Sequence, residues 1–393
     1  MREGILLDQP VGDKIAEYQE CKRAYEPNLF SSEVKMISRR EFFQLAGITT
    51  LGTTVLPESV VVGVTTDRRS NVGKPNKPLM YPGTQKSSTK RMLQFYKRCG
   101  VNNVCGNPDQ WSLEGLLELK DRCIANGITL DIVPLGMPLS VGLLGDKNNR
   151  DRQIEQTCDQ IRLAAKAGIP AIKYNMTVLN VLRTGTTGGR GGSRYSTWTY
   201  EKGNSNKSPT RAGEFPAELF WERISYFLNR VIPVATEHKV RMACHPHDPG
   251  VPTTGYRGVQ RVLGTVEGLK KFISISPSSY HGINFCVGTV ASNLDNPSAE
   301  IFDVIRYFGQ RKKIFNVHFR NIRGRRNNFQ EVYPDEGDIN MYRVMNVLKE
   351  VGYSGMVMPD HVPMHPDDPD QLQGLAFALG YIKALVQVVY AES

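Results

Sequence analysis

The chain has 393 residues, 40% hydrophobic and 22% charged, with 49 Lys and Arg against 39 Asp and Glu for a net charge of +10. This is ordinary globular composition, enough for one large core or two smaller ones, and the basic excess suits an anionic partner without dictating a fold. Seven scattered cysteines, an odd number, exclude a disulfide framework; no uninterrupted apolar run reaches the roughly 18 residues of a membrane span; and no zinc-finger, helix-turn-helix or aromatic-interleaved basic motif points to nucleic acid.

Residues 36–56, MISRREFFQLAGITTLGTTVL, place Ser38, Arg39, Arg40 and Phe42 ahead of a weakly apolar stretch, followed by polar TTDRRSNVGKPNKP. The pattern resembles a twin-arginine export signal. It predicts that residues 1–70 are a leader outside the fold and that the protein is periplasmic or exported, with no membrane insertion after signal removal. The alternatives are an amphipathic helix beginning near Arg39, in a cytoplasmic protein, and a true start at Met36.

From residue 75 to 393, short β-branched runs alternate with amphipathic helical stretches. Strands are predicted at 77–83, 100–106, 129–136, 169–176, 240–246, 282–288, 314–321 and 355–361. Between them, Leu113, Leu116, Leu117 and Ile124 are expected to share one helical face, as are Phe220, Ile224, Phe227, Leu228 and Val231. Asp338 and Gly352 read as the N-cap and C-cap of another helix, and LAFALGYIKALVQVV supplies a last one. Eight strand–helix units predict a single (β/α)8 TIM barrel. The rival, a doubly wound open sheet, lacks its Gly-rich dinucleotide fingerprint.

Residues 181–212 follow the fourth strand and are too long for an ordinary connection. Arg183, Arg190, Arg194, Lys202, Lys207 and Arg211 oppose only Glu201 there, beside Tyr195, Trp198 and Tyr200. They suggest a lid closing over an anion, with Arg183 and Arg190 binding substrate; a solvated mobile loop is the alternative.

A TIM barrel does its chemistry where strands end. Strand five ends in His245, with His247 and Asp248 beyond; strand six carries Cys286, strand seven His318 and Arg320, strand eight Asp360 and His361. These four strands are neighbours, so His245, Cys286, His318 and Asp360 can converge as metal ligands. Two imidazoles, a thiolate and a carboxylate suit manganese, iron, cobalt or zinc and argue against all-oxygen calcium or magnesium sites. Cys244, next to His245, should point outward into the helices. His247, Arg320, Asn321 and His361 flank the ligands, and Lys173, Tyr174 and Asn175 end strand four at the same opening. The arginines of RNIRGRR offer two-point recognition of a carboxylate.

MACHPHDPG, NFCVGT, VHFRNI, FQEVYPDEGDINM and GMVMPDHVP, with KYNMTVLNVLRT before them, resemble the mannonate dehydratases in order and spacing over about residues 75–390. The resemblance implies a TIM barrel holding a manganese-type divalent ion and converting D-mannonate to 2-keto-3-deoxy-D-gluconate, a step of glucuronate catabolism. It implies His245, Cys286, His318 and Asp360 as ligands. Asp360 and His361 are then the first choices for proton transfer, Arg320 holds the substrate carboxylate, and His247, Lys173 and Asn175 complete the site. Three departures stand out: HPHDP puts His247 where an aspartate is usual, the stretch after PDH lacks a Gly-Arg-Met sequence and a downstream tyrosine, and the lid sequence differs. A metal-dependent sugar isomerase or epimerase and a non-catalytic sugar-acid-binding protein are the alternative readings. The expected partner is a small sugar acid, and a homo-oligomer is left open.

Overall fold

The computed structural model describes residues 79–205 and 208–391; the twin-arginine-like segment lies outside the described residues. In chain order the strands are β1 (Tyr81–Thr84), β2 (Asn103–Cys105), β3 (Thr129–Pro134), β4 (Ala171–Asn175), β5 (Gly185–Gly188), β6 (Arg194–Thr199), β7 (Arg241–His245), β8 (His281–Cys286), β9 (Ile314–His318), β10 (Asn321–Arg325), β11 (Asn328–Val332) and β12 (Met356–Met358). Strands β1, β2, β3, β4, β7, β8, β9 and β12 close a parallel barrel in that order. Each expected strand is present. The observed ones are mostly shorter because the chain leaves the ladder as soon as it bends into a loop.

Alternation along each strand divides the core in two. Outward residues such as Ile172, Met242, Cys244, Ile283, Phe285 and Val317 join one large cluster with the surrounding helices. Inside the barrel, Cys105, Ile132, Ala171, Met356 and Met358 form a separate plug. Above the plug the inward positions become polar, and there the site begins.

Capping explains where several helices start. Ser112 accepts from Gly115 N ahead of Leu113–Ala125, and Thr265 accepts from Gly268 N ahead of Val266–Ser274. In Ala217–Glu237 the expected apolar face is buried. In Leu113–Ala125 the expectation fails: the buried positions are Leu116, Leu119 and Cys123, while Leu117 and Ile124 are exposed. Both exposed residues lie about 100° or more around the helix from the centre of the buried stripe: the helix is turned so that Leu119 and Cys123, rather than Leu117 and Ile124, meet the core beside Leu116. The helix Met341–Glu350 is capped by Asn340 rather than Asp338; the Asp338 carboxylate instead accepts from Gly324 N at 2.7 Å. Gly352, at φ 65°, follows the C-cap Val351, where a left-handed backbone favours glycine.

The segment after β4 is an ordered hairpin rather than a solvated loop. Strands β5 and β6 pair antiparallel, and β6 pairs with β11 of a second hairpin that follows β9, giving the sheet order β10-β11-β6-β5. Trp198 opposite Phe329 is fully buried, as is Tyr195. Two loops distant in sequence thus form one roof at the C-terminal end of the barrel.

Candidate metal and substrate site

Register brings the strand ends to one level. Cys286 on β8 is the partner of His318 on β9, and Asn175 on β4 is the partner of His245 on β7. Asp360 follows β12, whose Met358 pairs with His318. As a result one donor atom each from His245, Cys286, His318 and Asp360 lies within 4.8 Å of the other three. Cys244 faces away, in the outer core.

The immediate neighbours of these four residues fit a divalent cation. The Nδ1 of His245 meets the carbonyl of Pro246 at 2.7 Å, leaving Nε2 free. The Nε2 of His318 meets the Asn284 carboxamide at 3.0 Å, and its Nδ1 is buried with no hydrogen-bond partner, 3.3 Å from Asp360 Oδ1. Burial, with His318 alongside, pushes His245 down to about 3, and burial also lowers His318; both rings are neutral ligands at physiological pH. Burial opposes ionisation of Asp360, yet His361, His318 and Arg320 together hold it well below the usual carboxylate range. Burial pushes the Cys286 thiol up to about 12 against the pull of Arg320. Its sulfur accepts from Thr289 N at 3.4 Å and from Thr289 Oγ1 at 3.1 Å, a cradle suited to a thiolate once a cation displaces the proton.

His245, His318 and Asp360 line a cavity of about 460 Å³ whose wall also includes Gln85, Lys173, Asn175, Arg261 and His361. Gln85 was not expected from sequence. It donates to Asp360 Oδ1 at 3.1 Å and accepts from Lys173. His361 is part-exposed and lines the cavity; its Nδ1 lies 2.9 Å from Glu331 Oε1, and its Nε2 lies 3.8 Å from Asp360 Oδ1. Asp360 raises its basicity against the effect of burial, with Glu331 adding to the rise.

Four expected roles are corrected by this geometry. His247 borders the cavity, but its Nε2 meets the Met176 carbonyl at 2.6 Å and its Nδ1 accepts from Leu263 N at 3.3 Å, so neither nitrogen is free for a proton. Arg320 is fully buried under the donors. Its guanidinium bonds Asp248 at 2.9 Å, Glu331 at 2.5 Å and Thr289 Oγ1 at 2.7 Å, and it does not line the cavity, so it is not placed to hold a substrate carboxylate. Gly288 makes room for it, since a Cβ there would lie 2.5 Å from Arg320 Nε. Arg183 grips Asp248 through two hydrogen bonds of 3.0 and 3.1 Å and also pairs with Glu331. Arg190 is bound to Asp335 at 2.5 and 3.0 Å and stacks on Tyr333 in the roof. Each of these three arginines is already neutralised, by acids the sequence did not connect to it. His365, which opens the HPDDP run at 365–369, is tied to the Gly191 carbonyl at 2.8 Å and belongs to the roof.

Glu331, Thr289, Asn284 and Arg261 were assigned no role from sequence. Glu331 lies within FQEVYPDEG, and Asn284 and Thr289 open and close NFCVGT, so presence in the matching motifs was the available signal for these three; Arg261 lies in none of them.

A family model described as D-mannonate dehydratase (UxuA) matches residues 206–391. A mannonate dehydratase of Thermotoga petrophila is 28% identical over 327 residues, 70% of this chain and 86% of its own. One of Streptococcus agalactiae is 29% identical over 278 residues, 64% and 78% of the respective chains. Among solved structures, mannonate dehydratase from Streptococcus suis serotype 2 matches with a TM-score of 0.70 at 24% identity, over 80% of this chain and 95% of that one. A xylose isomerase domain protein from Planctomyces limnophilus matches at 0.54 and 17% identity, over 80% and 99%. Both structural matches speak to the barrel fold.

Proposed function

We propose that this relative of the mannonate dehydratases is itself a divalent-metal-dependent hydro-lyase of a sugar acid, taking D-mannonate to 2-keto-3-deoxy-D-gluconate and water in glucuronate catabolism. The observation that carries the reading is the convergence of His245, Cys286, His318 and Asp360 beside the cavity that His361 enters. In the reaction the C2 proton and the C3 hydroxyl leave as water, and the resulting enol becomes the ketone as C3 takes up a proton.

A divalent ion held by the four donors, manganese being our choice, would spread the charge that develops next to the substrate carboxylate. His361 is positioned for the proton steps. With Nδ1 anchored to Glu331, its Nε2 can take the C2 proton or hand one to the departing hydroxyl. Lys173 and Asn175 present donors to the substrate chain from the end of β4. The Asp248–Arg183–Arg320–Glu331 network beneath keeps His361 oriented.

The test is elemental analysis of the purified protein, followed by a panel of hexonates alongside neutral ketoses. Turnover of D-mannonate that disappears with the metal supports the proposal. Conversion of ketoses alone, or of neither class by the metal-loaded protein, overturns it. We further propose export through the twin-arginine pathway, supported by Ser38, Arg39, Arg40 and Phe42. A reporter fused after residue 70 should reach the periplasm and stay inside when Arg39 and Arg40 become Lys.

A further inference from the structure

Every buried arginine must offset the cost of leaving water. Arg183 and Arg320 do so with carboxylates. Arg261 does not. It is 6% exposed and borders the cavity, yet its only hydrogen bonds run to neutral carbonyls, Asp248 O at 3.1 Å and Asn180 O at 3.5 Å. Its Nε, like those of Arg183 and Arg320, has no partner among the described residues, but unlike them it forms no ion pair there. The neighbouring acid, Asp248, has its carboxylate committed to Arg183 and Arg320. Arg261 and both residues whose carbonyls it touches, Asn180 and Asp248, line the cavity.

The cavity therefore carries a surplus of cation. Lys173, the other lysine or arginine on its wall, is likewise bonded to a neutral amide, that of Gln85. A divalent ion on one thiolate and one carboxylate adds no net negative charge to oppose them. A neutral sugar would leave this surplus in place, whereas a carboxylate would cancel part of it.

We propose that Arg261 recognises the substrate's carboxylate and is the residue through which the site selects sugar acids over neutral sugars. The inference rests on the sugar-acid reading above and names the residue that enforces it. Arg183, Arg190 and Arg320, the arginines that sequence position favours for this task, are excluded from it by their own ion pairs.

The test compares Arg261→Gln and Arg261→Lys with the wild type, all metal-loaded, by calorimetric titration with D-mannonate, D-gluconate and uncharged D-mannitol. Loss of a charge-assisted contact should weaken hexonate binding about 10- to 100-fold in R261Q, with mannitol binding and metal content unchanged and part of the affinity regained in R261K. With a turned-over hexonate, KM should rise while kcat stays within about threefold. Equal loss for mannitol and hexonate would mean a packing role and overturn the inference, as would no loss, or a wild type that prefers mannitol. If R261Q fails to fold, the hexonate-to-mannitol preference of R261K decides: an unchanged preference overturns the inference, and a reduced one supports it. A wild type that binds hexonates but dehydrates none defeats the proposed reaction, and the Arg261 comparison then judges this inference separately.

Discussion

Two imidazoles, a carboxylate and a thiol differ in what each gives up to bind a cation. His245 and His318 are already neutral and Asp360 already ionised, while Cys286 keeps its proton, its thiol pushed up to about 12. Metal uptake between pH 6 and 8 should therefore release one proton and strengthen about tenfold per pH unit. Titration in buffers of differing ionisation enthalpy counts that proton; a count of zero would remove Cys286 from the ligand set. Asn284 is expected to matter almost as much as a ligand, because it fixes which nitrogen of His318 faces the centre. Asn284→Leu should weaken metal binding about 10- to 100-fold, and an unchanged affinity would show the contact to be incidental. For His361→Asn the expected outcome is the reverse separation: metal content kept, kcat down about 10²- to 10⁴-fold. At this scale the sequence made the donors legible because strand ends can be counted. It could not reveal the arginines' true duties, since Asp248 and Glu331 meet Arg320 only after folding.

Among the elements, the eight barrel strands could be read from β-branched runs between helices, and their closing order is the chain order. The roof could not. Strand β5 is GTTG, with no apolar alternation to announce it, and its sheet is completed by β11, whose Gln330 pairs with Thr197 far earlier in the chain. The lid was expected from length and aromatics, but its aromatics are structural: Trp198 and Tyr195 are 1% exposed. Trp198→Ala should cost about 3–5 kcal/mol of stability and open residues 181–205 to limited proteolysis at native pH. If that segment stays as resistant as in the wild type, the roof is held by something other than this packing.

The whole molecule buries histidines that have no part in the metal centre. His247 is pushed down to about 3 and His281 to about 4, each mainly by burial. The folded state holds both neutral, while the unfolded chain protonates near pH 6.5, so the unfolded state binds more protons as the pH falls. Stability is full above that value and declines below it toward the folded values. The expected loss between pH 7 and pH 5 is about 2 kcal/mol for each histidine, readable by urea denaturation of the metal-free protein, and an unchanged midpoint would contradict the burial. The terminal helix Leu372–Ala391 has the length and hydropathy of a membrane span. Its Leu375, Leu379, Ile382 and Val386 are nevertheless buried in the core shared with the barrel, which accounts for its apolar character.

The roof also bears on the order in which the molecule can assemble. Apart from the closing pair β1 and β12, neighbouring barrel strands follow one another in the barrel's chain order, whereas the roof joins stretches such as Ser193 and Tyr333, 140 positions apart. Such long-range pairing repays its loop-closure entropy only after the intervening strands are in place. Docking of the two hairpins thus comes after the strands between them, and it brings Glu331 on β11 to the His361 ring, so the support of the proton-handling residue is completed last.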